Sequence, residues 1–148
     1  MNEEFGIDLF IPKFENYPIT LAEIQHLPFD NKELVIQYSK KKGELKSDAF
    51  VKKYEENMDS DVLYGVYESE FFVVKLTFRS GKGSSKPSET KIFNGIEVEY
   101  HKVDRNNAKA LLALFNVKKG TYSITFNLKE ISESKAFDMI DMITSKVK

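Results

Sequence analysis

From Thr121 to Leu128 the chain alternates without a break: Tyr122, Ile124, Phe126 and Leu128 on one side, Thr121, Ser123, Thr125 and Asn127 on the other. A period of two puts each set on its own side of a pleated strand, so this run predicts a half-buried antiparallel strand. Such a strand must lay its apolar row on a core, which commits the chain to a sheet. The neighbouring signals agree. Asn94-Gly95 is the dipeptide of a two-residue type I′ hairpin, because both central residues must take positive φ; Phe93 and Ile96 then face each other. Beyond it, Ile96, Val98 and Tyr100 share one face and Glu97 and Glu99 the other. Ala110–Val117 is apolar on both faces up to Asn116, as expected of a strand near the middle of a sheet with cover on each side, and Lys118-Lys119-Gly120 is a turn. Ser132 caps a predicted helix with Glu133 in its first turn. Ala136, Ile140, Ile143 and Val147 form its apolar stripe beside Phe137 and Met139, with Asp138, Asp141 and Lys146 outward.

Upstream the signals are shorter. Residues 1–18 hold six Phe, Ile and Leu residues interrupted by Pro12 and Pro18, which predicts an extended N-terminal arm or edge strand and not a helix. Strands are expected over 19–27 and 33–38 around the turn 28–31, and Lys40-Lys41-Lys42-Gly43 ends the second. Ser47 is placed to cap a short helix over 48–57, with Phe50, Tyr54 and Met58 at i, i+4 and i+8. Strands over 62–68 and 71–79 are expected to be neighbours. Residues 80–88, Ser-Gly-Lys-Gly-Ser-Ser-Lys-Pro-Ser, have nothing to bury and predict a mobile surface loop. At 148 residues, one domain over 1–148 is expected, and a chain of this size buries about 70% of the surface its unfolded form exposes. Twelve Phe and no Trp predict a core built around Phe.

Several function classes find no support in these residues. Without Cys there is no disulfide framework, thiolate metal site or Cys nucleophile. No apolar window approaches the roughly 18 residues of a spanning helix, and Met1-Asn2-Glu3-Glu4 is unlike a signal-peptide start. The net charge of −1 divides into −7 over residues 1–70 and +6 over 71–148, which we read as two halves matched within one fold. Neither half is a dense basic stripe, so no nucleic-acid partner is expected. The glycines around Lys82 lack P-loop spacing and precede Pro87 and a strand, not a helix, so no nucleotide cofactor is expected. His26 and His101 have no second His or carboxylate at an obvious ligand spacing, and no metal is expected; a cross-strand meeting with Glu23 or Glu99 stays open. The carboxylate pairs Asp59/Asp61, Glu97/Glu99 and Asp138/Asp141 read as solvated faces, and no Ser lies in a nucleophile elbow. No catalytic residue is assigned.

The order Asn94-Gly95 with its alternating strand, the apolar strand 110–117, Gly120-x-Tyr122-x-Ile124, then Ser132-Glu133 and an apolar helix resembles a domain-of-unknown-function family. That family is found in membrane-anchored lipoproteins and anti-sigma-factor-like proteins of Gram-positive bacteria. Ile11-Pro12-Lys13-Phe14-Glu15-Asn16-Tyr17 and Gln37-Tyr38-Ser39 are also similar, so the likeness spans most of the chain. Members often carry a Trp where this chain has Phe115. The resemblance implies an extracytoplasmic, cell-surface-anchored, non-enzymatic domain, and it supplies no site residues; a native start at Met1 would instead imply the cytoplasm.

The reading is therefore an α+β domain: a curved antiparallel β-sheet of about six to eight strands with a C-terminal α-helix packed on one face and the opposite face partly polar. Its expected function is a non-catalytic binding or sensory module with a protein or small ligand. The alternative is a small soluble inhibitor or immunity-type protein whose acidic first half meets a basic target. The polar row Thr121, Ser123, Thr125 and Asn127 lacks aromatic anchors, so an anionic partner is expected instead beside the 80–88 loop, at Arg79, Lys82, Lys86 and Lys91.

Overall fold

The computed structural model describes residues 11–14, 16–29, 31–69, 72–81, 89–105, 108–117 and 120–147. They form one eight-stranded, fully antiparallel sheet and two helices. The strands are β1 (Ile19–Leu27), β2 (Asn31–Ser39), β3 (Ser60–Tyr64), β4 (Phe72–Ser80), β5 (Glu89–Phe93), β6 (Ile96–Arg105), β7 (Ala108–Val117) and β8 (Gly120–Asn127). The helices are α1 (Asp48–Met58) and α2 (Glu133–Lys146). Across the sheet the order is β3-β1-β2-β4-β8-β7-β6-β5. The β1–β2 hairpin is flanked on its outer side by β3. The chain then crosses to β4 beside β2, and a meander from β5 at the far edge runs inward until β8 pairs with β4.

Register assigns the faces. Leu34, Ile36 and Tyr38 of β2 lie opposite Phe78, Leu76 and Val74 of β4, which lie opposite Tyr122, Ile124 and Phe126 of β8. Phe115, Ala113 and Leu111 of β7 extend these rows. All are buried, and Ala136, Met139, Ile140 and Ile143 of α2 belong to the same apolar cluster. Phe137 stacks on Phe93 at 6.1 Å and meets Tyr100 edge-on at 5.2 Å. The Asn94-Gly95 turn has both φ angles positive, as its residues require, and the Asn94 amide donates to Asp141 O at 2.9 Å. The Ser132 hydroxyl caps α2 by accepting from Lys135 N. At the other end of the core, Tyr38 donates to Pro12 O at 2.6 Å and packs against Phe14. Burial, reinforced by Tyr122, pushes the Tyr38 phenol above its ordinary range.

Four local expectations are corrected. β3 is Ser60–Tyr64 and not 62–68, because Gly65 with φ of 97° breaks the extended run, after which Tyr67 makes an isolated bridge to Leu45 and one backbone hydrogen bond to Thr20 O. β3 is no neighbour of β4: both β1 and β2 stand between them, since the apolar row of β4 matches that of β2. Ser47 caps α1 as expected, but Phe50, Tyr54 and Met58 do not form a buried stripe; Phe50 and Met58 are exposed and the helix buries no residue. β7 is covered on one side only, with Leu112 and Leu114 half-buried and Asn116 exposed on the other. Of the expected 80–88 loop, Ser80 ends β4 and Gly81 follows it; residues 82–88 lie outside the described residues, as do 1–10 of the expected arm and the Lys118-Lys119 pair of the expected turn.

Candidate functional site

The same register assembles a second, polar face. Gln37, Lys75 and Thr125 are consecutive across β2, β4 and β8, and Leu112 of β7 follows. Beside this row run Val35, Thr77, Ser123 and Leu114. Arg79 and Thr121 make a third row. All of these but Gln37 and Leu112 line, together with Gln25, Glu33 and Gly81, an open concavity of about 430 Å³.

Lys75 stands at the centre of that face. It is half-buried, and among the described residues nothing is hydrogen-bonded, ion-paired or stacked on its ammonium. The hydroxyls of Ser123 and Thr125 beside it also lack side-chain partners among the described residues, while Thr77 donates to Ser123 O at 3.3 Å. Any water that the ammonium gives up on this face costs free energy unless a counter-charge or hydrogen-bond acceptors replace it. Free hydroxyls supply only part of that.

The rims are already engaged. Arg79 Nε lies 3.6 Å from Glu33 Oε2. Thr121 Oγ1 donates to Gly81 O at 2.8 Å and sits 2.7 Å from Asn116 Oδ1. Along one strand face Lys75 and Arg79 are four residues apart, roughly 13 Å. Toward β1, Glu23 is fully buried; Gln25 Nε2 donates to one carboxyl oxygen at 2.6 Å and the Tyr54 hydroxyl to the other at 2.5 Å. Burial and the Glu23 contact together push the Tyr54 phenol above its ordinary range. α1 buries no residue, and this is one of the contacts that hold it on the sheet: a tyrosine reaches a carboxyl that no solvent touches.

Of the residues singled out from the sequence, Arg79 lines the concavity. Lys91 does not. It lies opposite Val98 on the other face, in the third strand beyond β8, with its ammonium over the Phe93 and Phe137 rings at 5.4 and 5.3 Å. Lys82 and Lys86 lie outside the described residues. The structure therefore does not bring Arg79 and Lys91 together. From the sequence Glu23 has a role only as an open cross-strand partner for a histidine, Tyr54 only in the expected stripe of α1, and Lys75 none. Lys75 was visible only as a polar member of an alternating strand, and its surroundings come from three other strands.

His26 Nε2 lies 2.9 Å from Asp61 Oδ2, and both are exposed. Ile24 faces Asp61 and Gln25 faces Ser60, so the Ser60 side chain lies on the opposite face from this pair and is no nucleophile for it. Among the described residues no group of three or more His, Asp or Glu is disposed to hold a metal ion. Chelator treatment is expected to leave the melting temperature unaltered; a fall reversed by one divalent ion would place a metal at His26 or His101. Among the described residues no helix is long and apolar enough to cross a membrane. Comparison with protein-family models, curated proteins and solved structures returns no match.

Proposed function

We propose that this domain is a non-catalytic binding or sensory module, displayed outside the cytoplasm, that takes a polar ligand bearing an oxyanion on the open face of its sheet. The reading includes a curved sheet, with the C-terminal helix packed on the side away from the ligand. One observation carries it: a half-buried lysine, Lys75, whose ammonium has no partner among the described residues, in a concavity lined by Ser123 and Thr125, whose hydroxyls are also free there. A carboxylate or phosphate there satisfies the ammonium and both hydroxyls together. The non-catalytic part rests on the neighbouring carboxyls. Glu33 is engaged by Arg79, and Glu23 is sealed beneath Tyr54, so neither is presented as an acid or base to a bound molecule. The extracytoplasmic setting rests on the family resemblance alone.

The test is amide NMR during titration with citrate, malate and inorganic phosphate. Shifts are expected at Lys75, Thr77, Ser123 and Thr125. Lys75→Met should weaken binding by roughly 10- to 100-fold, the loss of one charge-assisted hydrogen bond of about 1.5–3 kcal/mol. Shifts that ignore this face, or survive Lys75→Met, would overturn the site.

A second reading, an inhibitor or immunity-type protein, is favoured by the acidic first half together with Leu45, Phe50 and Leu63, which are large, apolar and exposed there. In that case a basic protein partner would protect α1 and β3, and not β4 and β8, from hydrogen exchange.

A further inference from the structure

The two edges of the sheet are treated differently. At β3, His26 N donates to Asp59 O, so the hydrogen-bonded positions alternate from there and the N–H of Val62 points away from β1. That donor is capped: the Glu55 carboxylate of α1 accepts it at 2.9 Å. At β5 the two-residue turn makes Phe93 and Ile96 a hydrogen-bonded pair, so Phe93, Lys91 and Glu89 direct their backbone groups at β6. The N–H and C=O of Thr90 and Ile92 point outward. Among the described residues nothing covers them, and the Ile92 side chain is 71% exposed.

We infer that a second copy of this chain pairs with β5, antiparallel and edge to edge, about a two-fold axis at Thr90. Charge selects both the occupant and the register. Glu89 and Lys91 flank Thr90 on one face, and an axis through Thr90 sets each Glu89 opposite Lys91 of the other copy, twice over. Moving the axis to Lys91 sets ammonium against ammonium; moving it to Ile92 sets Lys91 against Phe93. The Thr90 axis also brings the two Thr90 hydroxyls together. A two-fold of this kind is perpendicular to the sheet, so it preserves the faces: both Lys75 concavities open to the same side, and the pair presents two equivalent sites to one target.

Light scattering and sedimentation test the pairing. The wild-type mass is expected to rise with concentration from 17.1 kDa toward twice that value. Glu89→Lys alone and Lys91→Glu alone should each remain at the single-chain mass, because like charges then oppose each other. An equimolar mixture of these two variants should recover the doubled mass. Thr90→Pro removes an outward N–H and no β5–β6 hydrogen bond, so it should stay single while keeping the wild-type melting temperature. A wild type that stays single at millimolar concentration overturns the inference, leaving the edge to an extended segment of some other protein. A doubled mass that survives both single reversals, or a mixture that fails to restore it, overturns it as well.

Discussion

Ile140→Ala is expected to destabilise the domain by roughly 2–5 kcal/mol, the range for a fully buried aliphatic truncated to Ala, combining lost transfer free energy with the cavity left behind. Ile140 has no exposed surface, and its neighbours along the α2 stripe, Ala136 and Ile143, have none either. The cavity would therefore open where helix and sheet side chains share one cluster. For a domain of this length each kcal/mol lowers the melting temperature by about 2–4 °C, so a fall on the order of 10 °C is expected by calorimetry. An unchanged melting curve would remove α2 from the core. The exposed neighbour Asp138 supplies the control, since Asp138→Ala should move the transition little.

What proved legible in the sequence was what the chain encodes within a few residues. Asn94-Gly95 specifies its turn because both positions need positive φ, and the register of Phe93 with Ile96 follows from that alone. The alternation of β8 and the Ser132 cap of α2 are equally local. The order of strands is not local. Nothing between residues 60 and 80 announces that β3 returns to β1 while β4 goes to β2. That choice is made by matching apolar rows across the whole sheet, Leu34–Ile36–Tyr38 against Phe78–Leu76–Val74. α1 misleads for a related reason. Phe50, Tyr54 and Met58 have helical spacing, yet the helix meets the sheet through polar contacts, Tyr54 donating to Glu23, 31 positions away, and the Glu55 carboxylate accepting from Val62 N. The candidate site follows the same logic. Gln37, Lys75, Thr125 and Leu112 become neighbours only when β2, β4, β8 and β7 align, so composition near any one of them cannot reveal the concavity. Lys91 and Arg79 flank one loop in the sequence, whereas strand parity sends their side chains to opposite faces.

The second large effect is expected at Gly120, where β8 begins opposite Ser80 and Val117. A Cβ at this position would sit 2.3 Å from Phe78 Cζ and 2.6 Å from Arg79 O. Neither neighbour yields easily. Phe78 is fully buried, with the Tyr122 ring edge-on at 5.0 Å, and Arg79 O belongs to the β4 backbone, which cannot retreat without disturbing its pairing with β8. Gly120 is thus demanded by close approach and not by a special φ. Gly120→Ala should cost about 1–3 kcal/mol, as overpacked cores do, and Gly120→Val, with two further methyl groups, more than about 3 kcal/mol by chemical denaturation. The effect should also reach the open face. Relief of the clash requires β4 and β8 to part at Arg79 and Thr121, which form the rim of the concavity around Lys75. In Gly120→Ala, oxyanion-induced NMR shifts at Lys75 should therefore weaken, even at temperatures where the variant remains folded. A Gly120→Val chain as stable as wild type would mean that the β4–β8 contact is looser than described at the rim of the concavity around Lys75.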